Sequence, residues 1–571
     1  MAPVVMNGPL GNGPLGNGPQ LDRRQFLRGS LGAAAAVALG VTVGSCSSGG
    51  GSASSGLTVR LPLGALGFPT PFAANADLGY AQASYIYDTL LWKDGSGQLL
   101  PWLATSYNAS PDNLRYTFQL RPGVTWSDGR PLSAADVVFT FDYLAKQETL
   151  SPPIVIQPPH GIASVSAPGP LTVEFTLDKP DVTFVEQIAG AVLIVPQHVW
   201  SSIGDPGSAQ DTKVLVGSSA YRVVSYKGDG GPMLYEAREG FFLGPPYVKR
   251  IEERAVNDAF TGLLGGDTDY ASDVGLRSDI VDRCKANPAF GEITNVGNST
   301  QAMYWNLAKV NALADVRVRR AMLMAIDRHD LVARVCNGRG VPGNPGFLAP
   351  DNPFYVAVPQ YGFDVAGANA MLDAAGYRYP SSGATVRQDR TGAPLSFGLL
   401  MDNAQAPLSE ILVADLRRVG IELKSKLVTL GPQLFGNKLV GQYDVAVLQF
   451  PGPGPGGPNA DPDVLRLLFS SRLPASLQGA SAYANLTFDA LADQQLSTFD
   501  PAQRKSIVAQ MQMILAQDVP MVPLYFVELD AFYRKPVLNE WYFTPGEFPA
   551  TENNKQLFIT GQTAGTAIRT Q

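Results

Sequence analysis

Short stretches of alternating apolar and polar residues recur along the chain. The sequence RYTFQLR places Tyr116, Phe118 and Leu120 on one side and polar residues on the other, which predicts a β-strand. LTVEFTLD, which begins at Leu171, repeats the same alternation. A continuous apolar stretch, VPMVPLYF, near the C-terminus predicts a buried strand.

Stretches with apolar residues at helical spacing lie between these strands. Ser133 stands three residues before Asp136, which is typical of a capping box at the start of the helix AADVVFTFDYLA. The stretch DVRVRRAMLMAIDR begins at Asp315, a favourable N-cap, and AGANAMLDAAG and ILVADLRRVG end at Gly376 and Gly420, which suit C-caps. PAQRKSIVAQMQMILAQD is a further predicted helix. This mixture of strands and helices predicts an α/β fold, and 571 residues are more than one hydrophobic core usually supports.

The first 45 residues predict an export signal. The sequence DRRQFLRG fits a twin-arginine motif, and an apolar run of 13 residues follows from Leu31 to Val43. A bilayer-spanning helix needs about 20 apolar residues, so this run indicates a signal peptide.

The residues after the apolar run indicate a lipid anchor. Val43-Gly44-Ser45-Cys46 resembles the lipobox of bacterial lipoproteins, which implies cleavage before Cys46 and acylation of its thiol. Two or more acyl chains hold a protein firmly on a membrane. Residues 46–56 then form a flexible linker of serine and glycine. We therefore expect a folded body on the extracytoplasmic face of the membrane, anchored at Cys46.

Composition argues against two classes of function. The net charge is −7 and no lysine- or arginine-rich face stands out, which argues against binding of nucleic acid. The three histidines, His160, His198 and His329, are far apart, and no metalloprotease, serine-hydrolase or Walker A motif is present. We expect no enzymatic activity, no cofactor and no metal site.

Four segments in this order resemble the family 5 solute-binding proteins of ABC importers, the peptide- and nickel-binding class. They are IYDTLLWKDGSGQLLPWLATSY, YTFQLRPGVTWSDGRPLSAADVVFTFDYL, NLAKVNALADVRVRRAMLMAIDR and VPMVPLYF. The turn Gly217-Ser218-Ser219-Ala220-Tyr221 stands where that family usually has Gly-Thr-Gly-Pro-Tyr. The resemblance covers about residues 80 to 530.

The resemblance implies a type II periplasmic-binding-protein fold, in which two α/β lobes close on a ligand by hinge motion. It divides the chain into a signal peptide at 1–45, a lipidated linker at 46–56, lobe I at 57–85, 200–300 and 518–571, an extra subdomain on the lobe I side at 86–199, and lobe II at 301–517. The two crossings between lobes are expected near 298–306 and 512–524.

The resemblance also implies where ligand binds. Tyr304, Trp305 and Asn306 lie at the first crossing, although alternation along a strand would send only one of the two aromatic rings to the ligand. Phe450 and Phe68 are weaker candidates for cleft walls.

In peptide-binding relatives an aspartate just before an Asp-Pro pair neutralises the α-amino group. Here Pro458 takes that place before Asp461-Pro462, so Asp461 and Asp463 become the nearest candidate carboxylates, although an aspartate after a loop is commonly just a helix N-cap. Otherwise the ligand has no free amine at that point.

The expected function is capture of an oligopeptide- or dipeptide-like solute for an ABC permease and ATPase, by a monomer. The alternatives are a lipoprotein that binds a sugar, glycopeptide, nickel complex or haem, and a ligand sensor without a transport partner. Export would permit a disulfide between Cys284 and Cys336, and the sequence leaves that pairing open.

Overall fold

The structure is a computed structural model. It describes residues 56–63, 67–73, 76–146, 161–228, 231–275, 277–296, 300–428, 443–450, 461–473, 482–542 and 554–562. The signal peptide, Cys46 and most of the predicted linker lie outside these residues. Among the helices in this part of the chain, none is both long and apolar enough to cross a bilayer.

The described residues form nineteen β-strands. In chain order they are β1 Leu57–Leu63, β2 Leu91–Lys93, β3 Leu99–Pro101, β4 Ala104–Ala109, β5 Arg115–Leu120, β6 Ile162–Gly169, β7 Thr172–Leu177, β8 Tyr221–Tyr226, β9 Met233–Ala237, β10 Val248–Ala255, β11 Tyr270–Val274, β12 Phe290–Asn295, β13 Thr300–Trp305, β14 Gly340–Pro342, β15 Ser396–Asp402, β16 Glu422–Val428, β17 Val445–Phe450, β18 Met521–Val527 and β19 Leu529–Arg534.

The same residues form fourteen α-helices and one π-helical turn, Phe184–Ala189. The α-helices are α1 Ala76–Ile86, α2 Ala134–Ala145, α3 Gln197–Trp200, α4 Ala259–Gly265, α5 Ser278–Lys285, α6 Asn311–Ala314, α7 Val316–Ala325, α8 Arg328–Val335, α9 Val365–Ala375, α10 Ala406–Arg417, α11 Val464–Phe469, α12 Leu486–Leu496, α13 Pro501–Asp518 and α14 Lys555–Thr560.

The helix starts predicted from capping residues are confirmed. Asp136 accepts hydrogen bonds from the backbone and hydroxyl of Ser133 at the start of α2. Asp315 caps α7, but this helix ends at Ala325, and Asp327 begins α8 by accepting from two backbone amides. Gly376 is the left-handed C-cap of α9, whereas the C-cap of α10 is Arg418, two residues before the predicted Gly420.

The described strands form five sheets, of which the four larger ones define the architecture. The six-stranded sheet β14-β18-β13-β17-β15-β16 belongs to lobe II. Lobe I contains the sheets β1-β10-β9-β8 and β11-β19-β12, and the stretch predicted as an extra subdomain holds the antiparallel sheet β4-β5-β7-β6. One hydrophobic cluster joins the subdomain to lobe I.

Two hydrophobic clusters cover opposite faces of the lobe II sheet. Met303 and Trp305 of β13 pack in one cluster with residues of α7 and α10. Ala302 and Tyr304 pack in the other with residues of α11, α12 and α13. Every residue of β13 is buried, because the strand lies inside a sheet that is covered on both sides.

The chain passes between the lobes twice. The first crossing joins β12 to β13, at the start of the range 298–306. The second lies at Glu528, between β18 and β19, four residues beyond the range 512–524. β18 pairs with β13 and β14, so lobe II extends to residue 527 and the predicted boundary at 518 falls about ten residues early.

Candidate ligand-binding cleft

Ion pairs of Arg339 stabilise the second crossing between the lobes. Arg339 of lobe II binds Glu528 at the second crossing and Asp530 of β19, with Nε 2.7 Å from Oδ2 of Asp530. The Asp530 side chain is fully buried and also accepts from the hydroxyl of Thr294 in β12 at 3.1 Å. A buried carboxylate needs such partners, so this arginine braces the hinge. Sequence reasoning missed it because its partners lie almost 200 positions away.

The aromatic pair at the first crossing belongs to the core. Tyr304 is 3% exposed and Trp305 is fully buried, on opposite faces of the sheet. Burial raises the pKa of the Tyr304 phenol, and the Trp305 indole N–H has no hydrogen-bond partner among the described residues. Both sheet faces are packed, which argues against the expectation that one ring faces the cleft.

Asn306 shapes a turn. Its side-chain amide donates to the Tyr443 carbonyl at 2.9 Å, and its Oδ1 accepts from the backbone N–H of Lys309 at 3.0 Å. These bonds account for the asparagine after β13 without a ligand.

The two phenylalanine candidates differ in what the structure describes. Phe68 is 2% exposed and packs edge-to-face on Tyr226, with ring centroids 5.2 Å apart, in the core of lobe I. This placement argues against its assignment to the cleft wall. Phe450 pairs with Thr300 through its backbone at the end of β17, and its side chain lies outside the described residues.

Both candidate carboxylates already have arginine partners. Arg504 of α13 binds Asp461 through two nitrogens, each 2.7 Å from a carboxylate oxygen. Arg466 of α11 binds Asp463 in the same two-pronged way, again at 2.7 Å. Gln495 links the pairs, since its amide donates to Asp463 at 2.6 Å and its carbonyl accepts from Arg504. We call these five residues the 461–504 network.

Burial explains the electrostatics of this network. Desolvation raises the pKa of Asp461, and the hydrogen bonds and charge of Arg504 oppose that shift. Desolvation works against the Arg466 cation, but Asp463 outweighs it and raises the pKa of the guanidinium. Each aspartate already has a cationic partner, which argues against its assignment as an amine-binding residue. The sequence could not reveal this, because Arg504 is 43 positions from Asp461.

Several residues that carry the family resemblance stabilise lobe I. The Lys555 ammonium is fully buried 2.6 Å from Asp88 and lies 4.6 Å from the centre of the Trp92 ring. Asp88 also accepts from the Trp102 indole at 2.8 Å and from the Ser218 hydroxyl at 2.9 Å. Ser218, in the turn that differs from the family's Gly-Thr-Gly-Pro-Tyr, thus donates a hydrogen bond to the acidic member of a buried ion pair. We call Asp88, Lys555, Trp102 and Ser218 the lysine cage.

The turn before β8 also needs a glycine at its first position. A Cβ atom on Gly217 would stand 1.8 Å from the carbonyl oxygen of Ile86. Tyr221, at the end of this turn, donates to the carbonyls of Val248 and Phe558, each at 3.1 Å. The motif therefore fastens β10 and α14 together.

The buried arginine of α7 donates hydrogen bonds to backbone carbonyl groups. Arg319 is buried and donates to the carbonyls of Val519 at 2.9 Å and Ala314 at 3.1 Å, as well as to those of Leu313 and Asp518. Burial lowers its pKa to about 10. Arg317 forms a surface ion pair with Asp315.

The two described cysteines are free thiols. Cys284 lies in a small cluster of lobe I with Phe260, and Cys336 lies in the core of lobe II, where burial raises its pKa to about 12. The pairing that the sequence left open is absent from the structure. Within the described ranges no three His, Cys, Asp or Glu side chains are grouped so that they could hold a metal ion.

Comparison with known proteins agrees with this architecture. The family described as bacterial extracellular solute-binding proteins, family 5 Middle, matches residues 98–472, and a twin-arginine translocation signal matches residues 20–40. The oligopeptide-binding protein AppA of Bacillus subtilis is 24% identical over 491 residues, which are 82% of this chain and 86% of AppA.

Two solved structures share the fold. That of Bacillus subtilis AppA in complex with a nonapeptide has a TM-score of 0.72 at 22% identity and covers 87% of this chain and 99% of AppA. That of NikA from Brucella suis in complex with Fe(III)-EDTA has a TM-score of 0.71 at 22% identity and covers the same shares. The two-lobed type II α/β fold is thereby confirmed, and the signal directs the chain to the extracytoplasmic space. The chain belongs to the family 5 bacterial extracellular solute-binding proteins, which are substrate-binding components of ABC importers and not enzymes.

Proposed function

We propose that this protein captures a peptide-like solute between its lobes and delivers it to an ABC permease and its ATPase. The main support is the relationship to an oligopeptide-binding protein over four fifths of the chain. Two lobes joined by two crossings can close around a solute, so that a few hydrogen bonds act out of water. The protein acts as a monomer held at the membrane by lipid on Cys46.

The preferred peptide does not depend on its free amino group at Asp461 or Asp463. Both carboxylates are occupied by arginines. The neighbouring segments 429–442, 451–460 and 474–481 contain no aspartate or glutamate in the sequence. A buried ammonium without a partner is strongly unfavourable, so the site suits a peptide whose amine is blocked or stays in water.

A matched pair of peptide libraries tests this function. We expect an equimolar mixture of nonapeptides to raise the melting temperature of the protein, and the N-acetylated mixture to bind within about tenfold of the free-amine mixture. In a site that pairs the amine, acetylation would remove several kcal/mol and weaken binding more than 100-fold. Isothermal titration of both mixtures gives the affinities.

That experiment distinguishes the proposal of peptide capture from the proposal that the peptide's free amine is not required. If neither mixture binds, and native mass spectrometry of the purified protein finds no co-purified peptide, the peptide assignment is wrong. If the free-amine mixture alone binds, peptide capture stands and the account of the amine is wrong.

The lipid anchor predicts the behaviour of Cys46→Ala. We expect this variant to move from the membrane fraction to the soluble fraction, because removal of the thiol leaves no atom for acylation. Immunoblots of fractionated cells provide the measurement. Ser47→Ala, which keeps the cysteine, should stay with the membrane, and retention of Cys46→Ala there would rule out the anchor.

A further inference from the structure

A turn of the subdomain completes the end of a lobe II helix. The backbone N–H of Val182 donates to the carbonyl of Leu496 at 2.8 Å. Leu496 is the last residue of α12, and the last four carbonyls of an α-helix have no donor within the helix. Here one of them is satisfied by a residue of the other half of the molecule, so the bond exists only while the halves are together.

Asp181 holds the turn that presents this donor. Its Oδ1 accepts from the backbone N–H of Thr183 at 2.8 Å and from the hydroxyl of Thr183 at 2.7 Å. With these bonds made within the turn, the N–H of Val182 is directed outward. Phe184 follows at once and is 1% exposed, with its ring centroid 4.6 Å from that of Tyr116. The turn is therefore fixed to the subdomain core.

The lobe II side of the contact is equally fixed. Gln495, next to Leu496, is fully buried and joins the two ion pairs of the 461–504 network. That network follows residues 451–460, the loop in which the family resemblance places ligand contacts. The end of α12 is thus joined through Gln495 to Asp463 and Arg504.

Asp181 contributes to the contact between the halves mainly through its hydrogen bonds, because the charges around it oppose one another. Asp181 interacts with the cation of Arg466 and with the anion of Asp463, which act in opposite directions. Asp493 also faces Arg466. Burial is the largest effect and raises the pKa of Asp181, so its charge is not what favours the contact.

The geometry points to an interlobe latch formed by the 181–183 turn and the Leu496 carbonyl, which favours the closed arrangement before ligand binds. This deepens the proposed function, because closure is what retains a solute. Asp181 is a positioning residue here: it touches no ligand and acts through the N–H of Val182.

Hydrogen exchange of the Val182 amide tests the latch in ligand-free protein. In the wild-type protein we expect this amide to exchange far more slowly than an unstructured amide. Asp181→Ala should speed exchange of the Val182 amide about fivefold, because the variant loses stabilisation equivalent to about one hydrogen bond. It should also enlarge the radius of gyration measured by small-angle X-ray scattering. Asp181→Asn keeps the acceptor oxygen and should stay within about twofold of wild type.

Asp178→Ala is the matched control, because Asp178 is exposed in the same connection and its side chain has no hydrogen bond or ion pair among the described residues. Exchange of Val182 at the unstructured rate in the wild-type protein would overturn the proposal, even if Asp181→Ala does not fold. So would an Asp181→Ala variant that matches Asp178→Ala. No ligand is present in these measurements, so they stand whether or not the peptide assignment fails.

Discussion

Replacing Lys555 with methionine is expected to lower the free energy of unfolding by about 3–5 kcal/mol. The substitution leaves the Asp88 carboxylate in a site with no exposed surface, where the Trp102 indole and the Ser218 hydroxyl are its remaining side-chain donors among the described residues. Desolvation already lowers the pKa of Lys555, and Asp88 is the partner that favours its charged form. Equilibrium denaturation in urea, followed by tryptophan fluorescence, measures the loss.

Two further variants make the prediction specific to the lysine cage. Lys535→Met removes an exposed lysine whose side chain has no partner among the described residues, and it should change stability by less than about 0.5 kcal/mol. The double variant Asp88→Leu with Lys555→Met should lose less than the sum of the single losses, because it leaves no unpaired charge. Additive losses would show that the two side chains do not interact.

Asp461→Asn is expected to destabilise the protein by about 3 kcal/mol or more, whether or not peptide is present. The carboxylate is 9% exposed and binds both nitrogens of the Arg504 fork, and an amide can accept only one of those two bonds. If Asp461 instead served the ligand, its replacement would reduce affinity and leave the unfolding curve unchanged. Urea denaturation with and without the nonapeptide mixture separates these cases.

Asp493→Asn is the control for that experiment. Asp493 pairs with Arg472 near the same helices, but both side chains are about half exposed. Surface pairs contribute 0–1 kcal/mol, roughly, so this variant should unfold close to wild type. An equal loss in Asp493→Asn and Asp461→Asn would contradict the role given to burial.

The elements that local sequence could predict are those set by neighbouring residues. The alternation of Tyr116, Phe118 and Leu120 predicts β5, and the Ser133–Asp136 pair predicts the start of α2, because strand faces and helix caps depend on residues a few positions apart. The twin-arginine signal and the family were also evident from short motifs.

The site residues were harder to assign because their environment is set by distant parts of the chain. Alternation alone would leave one of Tyr304 and Trp305 outside the core, but helices cover both faces of the sheet and bury both rings. The partners of Asp461 and of Arg339 lie 43 and 191 positions away, and no local pattern announces them. The sequence therefore predicts the region of the candidate site, which includes the interlobe crossings and the loop before Asp461. It does not predict which side chains in that region are free to contact a ligand.

The lysine cage affects the order in which the two lobes can fold during translation. All six strands of lobe II lie between residues 300 and 527, so that lobe can assemble before translation ends. Lobe I cannot, because β19 follows the second crossing and the Asp88 carboxylate pairs with Lys555. Loss of a C-terminal stretch that includes Lys555 would leave Asp88 without its cationic partner, and we expect quality-control proteases to remove such truncated chains.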